Sequence, residues 1–81
     1  MITWDEPKRQ TNRQKRGMDF ADLSLEFFLS AHIEVARDGR LKAIGPFGGI
    51  TIAVIFKPLG TEAVSVISMR QASKKERSKL P

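Results

Sequence analysis

Residues 50–56 read Ile-Thr-Ile-Ala-Val-Ile-Phe, a β-branched run that is apolar at odd and even positions alike. A strand with one wet face alternates. A run without alternation calls for cover on both faces, which places this one at the centre of a sheet. The chain has 81 residues, and folding at that length buries only about 60% of the unfolded surface. The core around the strand is therefore small, and with no cysteine neither a disulfide nor a thiolate-bound metal can supplement it. Absence of cysteine also fits a reducing compartment such as the cytoplasm.

Elements on either side follow from local signals. Ile2-Thr3-Trp4 can form a short first strand. Asp5 stands at an N-cap, Glu6 and Pro7 in a first turn, and Gly17 at a stop, so a helix is predicted between them. That helix is almost wholly polar, so it is exposed or held through side-chain stems, with Trp4 anchoring its entry. A second helix is predicted over residues 18–30, capped by Asp19, with Phe20, Leu23, Phe27 and Phe28 on one face. The alternation of Ala21, Leu23, Leu25 and Phe27 also allows a strand, but the caps favour the helix. From His32 onward the pattern is β: residues 32–36, a turn at Arg37-Asp38-Gly39, a strand broken by Pro46-Phe47-Gly48-Gly49, the central run, a break at residues 57–61, and a last strand from Ala63. Such short links make antiparallel hairpins. Ser73 and Glu76 are spaced as a capping box for a short basic terminal helix. The expected architecture is α+β and a single domain over residues 1–81. It has two N-terminal helices, an antiparallel meander of three to four strands with helices against one face, and a C-terminal basic helix.

The net charge is +5, and it is unevenly spread: +3 over residues 1–17, −4 over 18–39, +2 over 40–69 and +4 over 70–81. If the two cationic ends meet they form one basic face, the footprint of a phosphate backbone as partner. There is no apolar leader, and the longest apolar run is far short of the ~20 residues of a membrane span, so a soluble protein is expected. With one histidine and no tyrosine, one chain cannot build a two-imidazole phosphodiesterase site. A zinc site would need several carboxylates, and Gly45-Pro46-Phe47-Gly48-Gly49 lacks the lysine and helix of a phosphate loop. His32 opens a strand and reads as a surface histidine. Lysine, arginine and carboxylates remain as the chemistry, and neither a metal nor a cofactor is expected.

Trp4, Asp5, Glu6, Lys8, Asn12, Lys15, Gly17 and Phe20 fall at the spacing of a longer pattern. In it the sequence resembles the BrnT-type toxins, whose N-terminal signature usually reads W-D-x-x-K-x-x-x-N-x-x-K-H-G-x-x-F. Arg40, Ala43, Ile44 and Gly45 are similar to a second block of that family, and Ile67, Ser68, Arg70, Ala72, Glu76 and Arg77 to a third. The match spans most of the chain in order, with residues 30–39 matching poorly. It implies a RelE-like fold and a metal-independent endoribonuclease that cleaves mRNA by 2′-OH attack and inhibits translation. It also implies a partner, a BrnA-like antitoxin with a ribbon-helix-helix domain, through which alone operator DNA is reached.

Histidine-free RNA cleavage by lysine and arginine is chemically sound. A lysine acting as base near neutral pH must be brought from about 10.4 towards 7, roughly 4–5 kcal/mol of differential interaction, which surrounding positive charge can supply. Lys15 is the candidate base or phosphate clamp and Arg70 the candidate phosphate ligand in catalysis. Arg40, Lys74 and Arg77 are candidate substrate-binding residues, and Glu76 reads as the capping-box partner. The chain departs from the family pattern at Arg16, where a histidine is usual, at Gly39, where an acid is common, and at Leu80-Pro81, where a tyrosine is frequent. Each departure removes a proton carrier. A non-catalytic nucleic-acid-binding module is therefore the alternative, and a structural partner protein the third reading.

Overall fold

The computed structural model describes residues 1–81. Its strands are β1 (Ile2–Trp4), β2 (His32–Val35), β3 (Leu41–Phe47), β4 (Ile50–Leu59) and β5 (Ala63–Gln71). The helices are α1 (Glu6–Arg16), α2 (Leu25–Ser30) and α3 (Lys74–Arg77), with a 3-10 turn at Phe20–Asp22. All strands join one sheet in the order β1-β5-β4-β3-β2. The α+β class matches expectation, but the sheet has five strands, not three or four. It is also mixed: β2 to β5 pair antiparallel in sequence order, whereas β1 lies parallel to β5, with Ile2 opposite Val64 and Trp4 opposite Val66.

β4 has the double cover its sequence demands. Ile52, Val54 and Phe56 pack with Phe20, Leu23, Phe27, Val66 and Met69 on one face. Ala53 packs with Ile44, Ala72 and Leu80 on the other. Helices therefore lie on both faces and not one, because the chain leaving β5 folds back across the face that α2 does not cover.

α1 has the predicted ends: Pro7 in its first turn, and Gly17 in the left-handed region (φ +68°) donating its N–H to the Arg13 carbonyl at 2.9 Å. Asp5 holds the N-cap position without a side-chain hydrogen bond. The second helix is not continuous over 18–30. Asp19 caps only the 3-10 turn through the Ala21 N–H, Leu23 is extended, and Ser24 caps α2. This break lets Phe20 and Phe27 enter the same core from separate turns. Arg9 ties α1 to the turn, its Nε and Nη2 donating to the two Asp19 oxygens at 2.7 and 3.0 Å. With the Ala21 N–H, it holds the Asp19 carboxyl down at about 2.

Two prolines read as strand breaks lie inside strands. Pro46 is in β3 and Pro58 in β4. β2 stops opposite Ile44 and β3 stops opposite Phe56, so each proline sits where its strand has a partner on one side only. No ladder donor is lost there. Gly45 allows close approach: a Cβ on it would meet the Phe27 ring at 3.2 Å and the Ala31 Cβ at 3.3 Å. No helix is long and apolar enough to cross a membrane.

Candidate functional site

Both chain ends meet along β5. β1 pairs with its first half, and α1 takes over as neighbour to the second half. There the buried Asn12 side chain accepts from the Met69 N–H and donates to the Met18 carbonyl, both at 3.0 Å. One amide thus satisfies a strand N–H that lacks a strand partner and closes the exit of α1.

Beside this contact β5 carries a bulge. Ile55 of β4 faces Ser68 while Phe56 faces Val66, so Ile67 is the extra residue. A bulge re-aims side chains and is common next to functional sites. Here Val66 and Met69 both stay in the core, while Ile67 and Ser68 line a surface groove of about 340 Å³. Its other wall is one stripe of α1, with Lys8, Thr11, Lys15 and Arg16. Three cations and two hydroxyl residues around a small apolar floor suit a polyanion with an apolar face.

Arg70 follows Ser68 two residues on, about 7 Å along the strand and on the same face. Its Nη1 and Nη2 donate to Glu76 Oε1 and Oε2 at 2.7 and 2.9 Å. Glu76 is buried, and the Ser73 N–H and Lys42 Nζ also donate to it, at 2.9 and 2.8 Å. Four donors use the carboxylate's whole accepting capacity. Arg70 above all, then Lys42 and the Ser73 N–H, hold the Glu76 carboxyl well below the usual carboxylate range despite desolvation, and Glu76 in turn raises Arg70. The network extends outward through Glu34, with Lys79 at 2.8 Å, His32 at 3.4 Å and Lys42 at 3.6 Å.

Because Glu76 is depressed, its stabilising charge is complete above the ordinary carboxylate pKa near 4.3 and is lost as pH falls through its folded value. The melting temperature of the protein is therefore expected to be flat from pH 7 to 5 and to fall below about pH 4. Glu76→Gln should melt lower at pH 7 and converge with the wild type in acid. Parallel curves from thermal melts across this range would remove Glu76 from that account.

The predicted residues divide between these places. Lys15 lines the groove, exposed and without an ion-pair partner, while Arg70 lies beyond Ser68 in the Glu76 network. The two flank Ser68 but do not touch. Lys74 is exposed on α3, and Arg77 donates from Nη1 to the Ala72 carbonyl at 2.9 Å. Arg40 ends the β2–β3 turn, where Asp38 and Gly39 have positive φ. It is four residues, about 13 Å of strand, from the row holding Ile44, Ala53 and Arg70, and it joins neither cluster. Glu76 caps α3 as read, with both arms of the capping box formed.

Lys8, Thr11, Asn12, Arg16, Lys42 and Ser68 were not singled out as site residues. The spacing of Lys8, Thr11, Asn12 and Lys15 as one helical stripe was a usable signal, and so was Lys42 two residues before the inward Ile44. Nothing local marks the bulge. No three His, Asp or Glu side chains come together as a metal cluster.

Residues 4–76 match the family described as "Ribonuclease toxin, BrnT, of type II toxin-antitoxin system". The chain is also similar to the crystal structure of the Brucella abortus ribonuclease toxin, BrnT. The two share 66% identity over 90% of this chain and 96% of the other, with a TM-score of 0.84. No curated protein matches the chain.

Proposed function

This chain belongs to the BrnT family of ribonuclease toxins of type II toxin–antitoxin systems, and we propose that it is itself a metal-independent endoribonuclease that cleaves mRNA and inhibits translation in the cytoplasm. The observation that carries this reading is the single line of β5 from Ser68 to Arg70, with the Lys8-Lys15-Arg16 groove at one end and Arg70 at the other. In the proposed reaction the 2′-oxygen attacks the adjacent phosphorus, Lys15 takes the 2′-OH proton, and Arg70 neutralises the extra charge of the phosphorane. The bond to the 5′-oxygen breaks, that oxygen takes a proton from water, and the products carry a 2′,3′-cyclic phosphate and a 5′-hydroxyl. Lys74, Arg77 and Arg40 serve flanking phosphates. RelE-like kinship belongs to the same proposal.

The partner we propose is a BrnA-like ribbon-helix-helix antitoxin whose acidic, partly disordered segment folds over Arg70 and α3, with operator DNA bound only through it. The +4 charge of residues 70–81 supports that. The test of function is incubation of the purified chain with RNA in EDTA. Cleavage leaving cyclic phosphate ends, unchanged by His32→Ala, is the expected result. Salt-dependent RNA binding without any cleavage would favour the binding-module reading.

A further inference from the structure

We propose that Glu76 is a positioning residue for RNA cleavage: it grips Arg70 by the Nη1/Nη2 end and leaves the Nε–H/Nη2–H edge free for two oxygens of a phosphodiester. The inference rests on the reading of Arg70 as a phosphate ligand.

A guanidinium has five N–H groups in one rigid plane, and it offers two bidentate edges. In this structure the end edge is spent on Glu76 Oε1 and Oε2, and the remaining Nη1 donor reaches the Gln71 carbonyl at 3.3 Å. Arg70 Nε makes no hydrogen bond within the protein, so the side edge of the fork is vacant. That edge has the geometry for two non-bridging phosphate oxygens. The Arg70 side chain is 33% exposed, so solvent reaches it.

Glu76 is suited to hold such a fork still. Its own position is fixed by the Ser73 N–H on Oε1 and by Lys42 on Oε2, and its side chain is 8% exposed. One carboxylate shared between Arg70 and Lys42 also leaves the cluster net positive, so an anion is still attracted.

The experiment measures cleavage of a single-stranded RNA oligonucleotide, and binding of the same sequence with every 2′-oxygen methylated, which cannot attack. Glu76→Gln is expected to lower kcat by about 10²-fold, the effect of losing orientation at a reacting group. It should leave the affinity for methylated RNA unchanged or tighter, because one negative charge is gone. The double variant Glu76→Gln/Arg70→Ala should be no slower than Arg70→Ala alone.

Wild-type kcat in Glu76→Gln, with Arg70→Ala inactive, would overturn the inference alone. So would equal loss of kcat and binding that adds to the Arg70→Ala effect, since that is a structural role. Wild-type cleavage by Arg70→Ala would overturn the site reading and this inference with it. If Glu76→Gln does not fold at the assay temperature, Arg70→Lys decides: it keeps a charge on Glu76 but has no second edge. Loss comparable to Arg70→Ala supports the inference, and full activity overturns it.

Discussion

Lys15→Ala and Arg70→Ala are each expected to slow RNA cleavage by about 10²–10³, the usual cost of removing one group that meets developing charge in a transition state. The two losses have different origins. Lys15 projects from α1 into the groove with no ion-pair partner, so its removal should leave the fold intact. An exposed side chain of this kind changes stability by less than about 0.5 kcal/mol when truncated. Arg70 is bound to Glu76, so Arg70→Ala also strips a buried carboxylate of its first partner, and its melting temperature should fall as well. Lys15→Arg separates charge from proton transfer. Arginine keeps the positive charge but does not lose a proton, so a base at Lys15 predicts activity near the alanine level. Single-turnover rates on RNA, alongside affinity for the methylated analogue, give the answer. Full activity of Lys15→Arg would reduce Lys15 to a phosphate clamp, and wild-type rates in both alanine variants would move catalysis elsewhere.

Asn12→Leu is expected to destabilise the protein by about 2–4 kcal/mol, because a buried and a part-buried backbone group lose their partners at once. The Met69 N–H has no acceptor other than Asn12 Oδ1, and Asn12 Nδ2 is what the Met18 carbonyl receives. Leucine has the branching and the number of heavy atoms of asparagine but neither donates nor accepts, so the hydrogen bonds are the main thing tested. For a domain of this size the melting temperature should drop by roughly 10–30 °C, at 4–8 °C per kcal/mol. The groove should loosen with it, since α1 is held on β5 at this point. A drop of under a few degrees in thermal melts would mean that water replaces the amide and that α1 is fixed by other contacts.

The parts of this fold that were legible in one dimension are those whose causes lie within a few residues. Pro7 and Gly17 mark the ends of α1 because each acts on its own φ angle. Ser73 and Glu76 mark α3 because a capping box closes over three residues. The run from Ile50 to Phe56 announced its double burial because no other environment suits an unbroken apolar strand. Asp19 misled for the same local reason: it does cap a turn, but Ser24 caps the helix, and Leu23 between them is extended to reach the core. Pro46 and Pro58 misled because a proline interrupts a strand only where a neighbour needs its N–H. Whether a neighbour is there depends on where other strands stop.

The site belongs mostly to the second kind. Lys15 and Arg70 could be named as candidates from the sequence, but not the contacts that surround them. The parallel pairing of Ile2 with Val64, the Asn12 bond to Met69 and the Lys42 bond to Glu76 join positions 62, 57 and 34 residues apart. Each forms because folding leaves a buried donor or charge that must be satisfied by whatever polar group the packed elements bring near. Nor does any local signal place an extra residue at Ile67, because a bulge is a mismatch between two strands and is carried by neither alone. Residue types therefore showed how many cations the chain carries and that it has one histidine, while long-range packing determined which cations share a carboxylate, which face open groove, and which edge of Arg70 is left free.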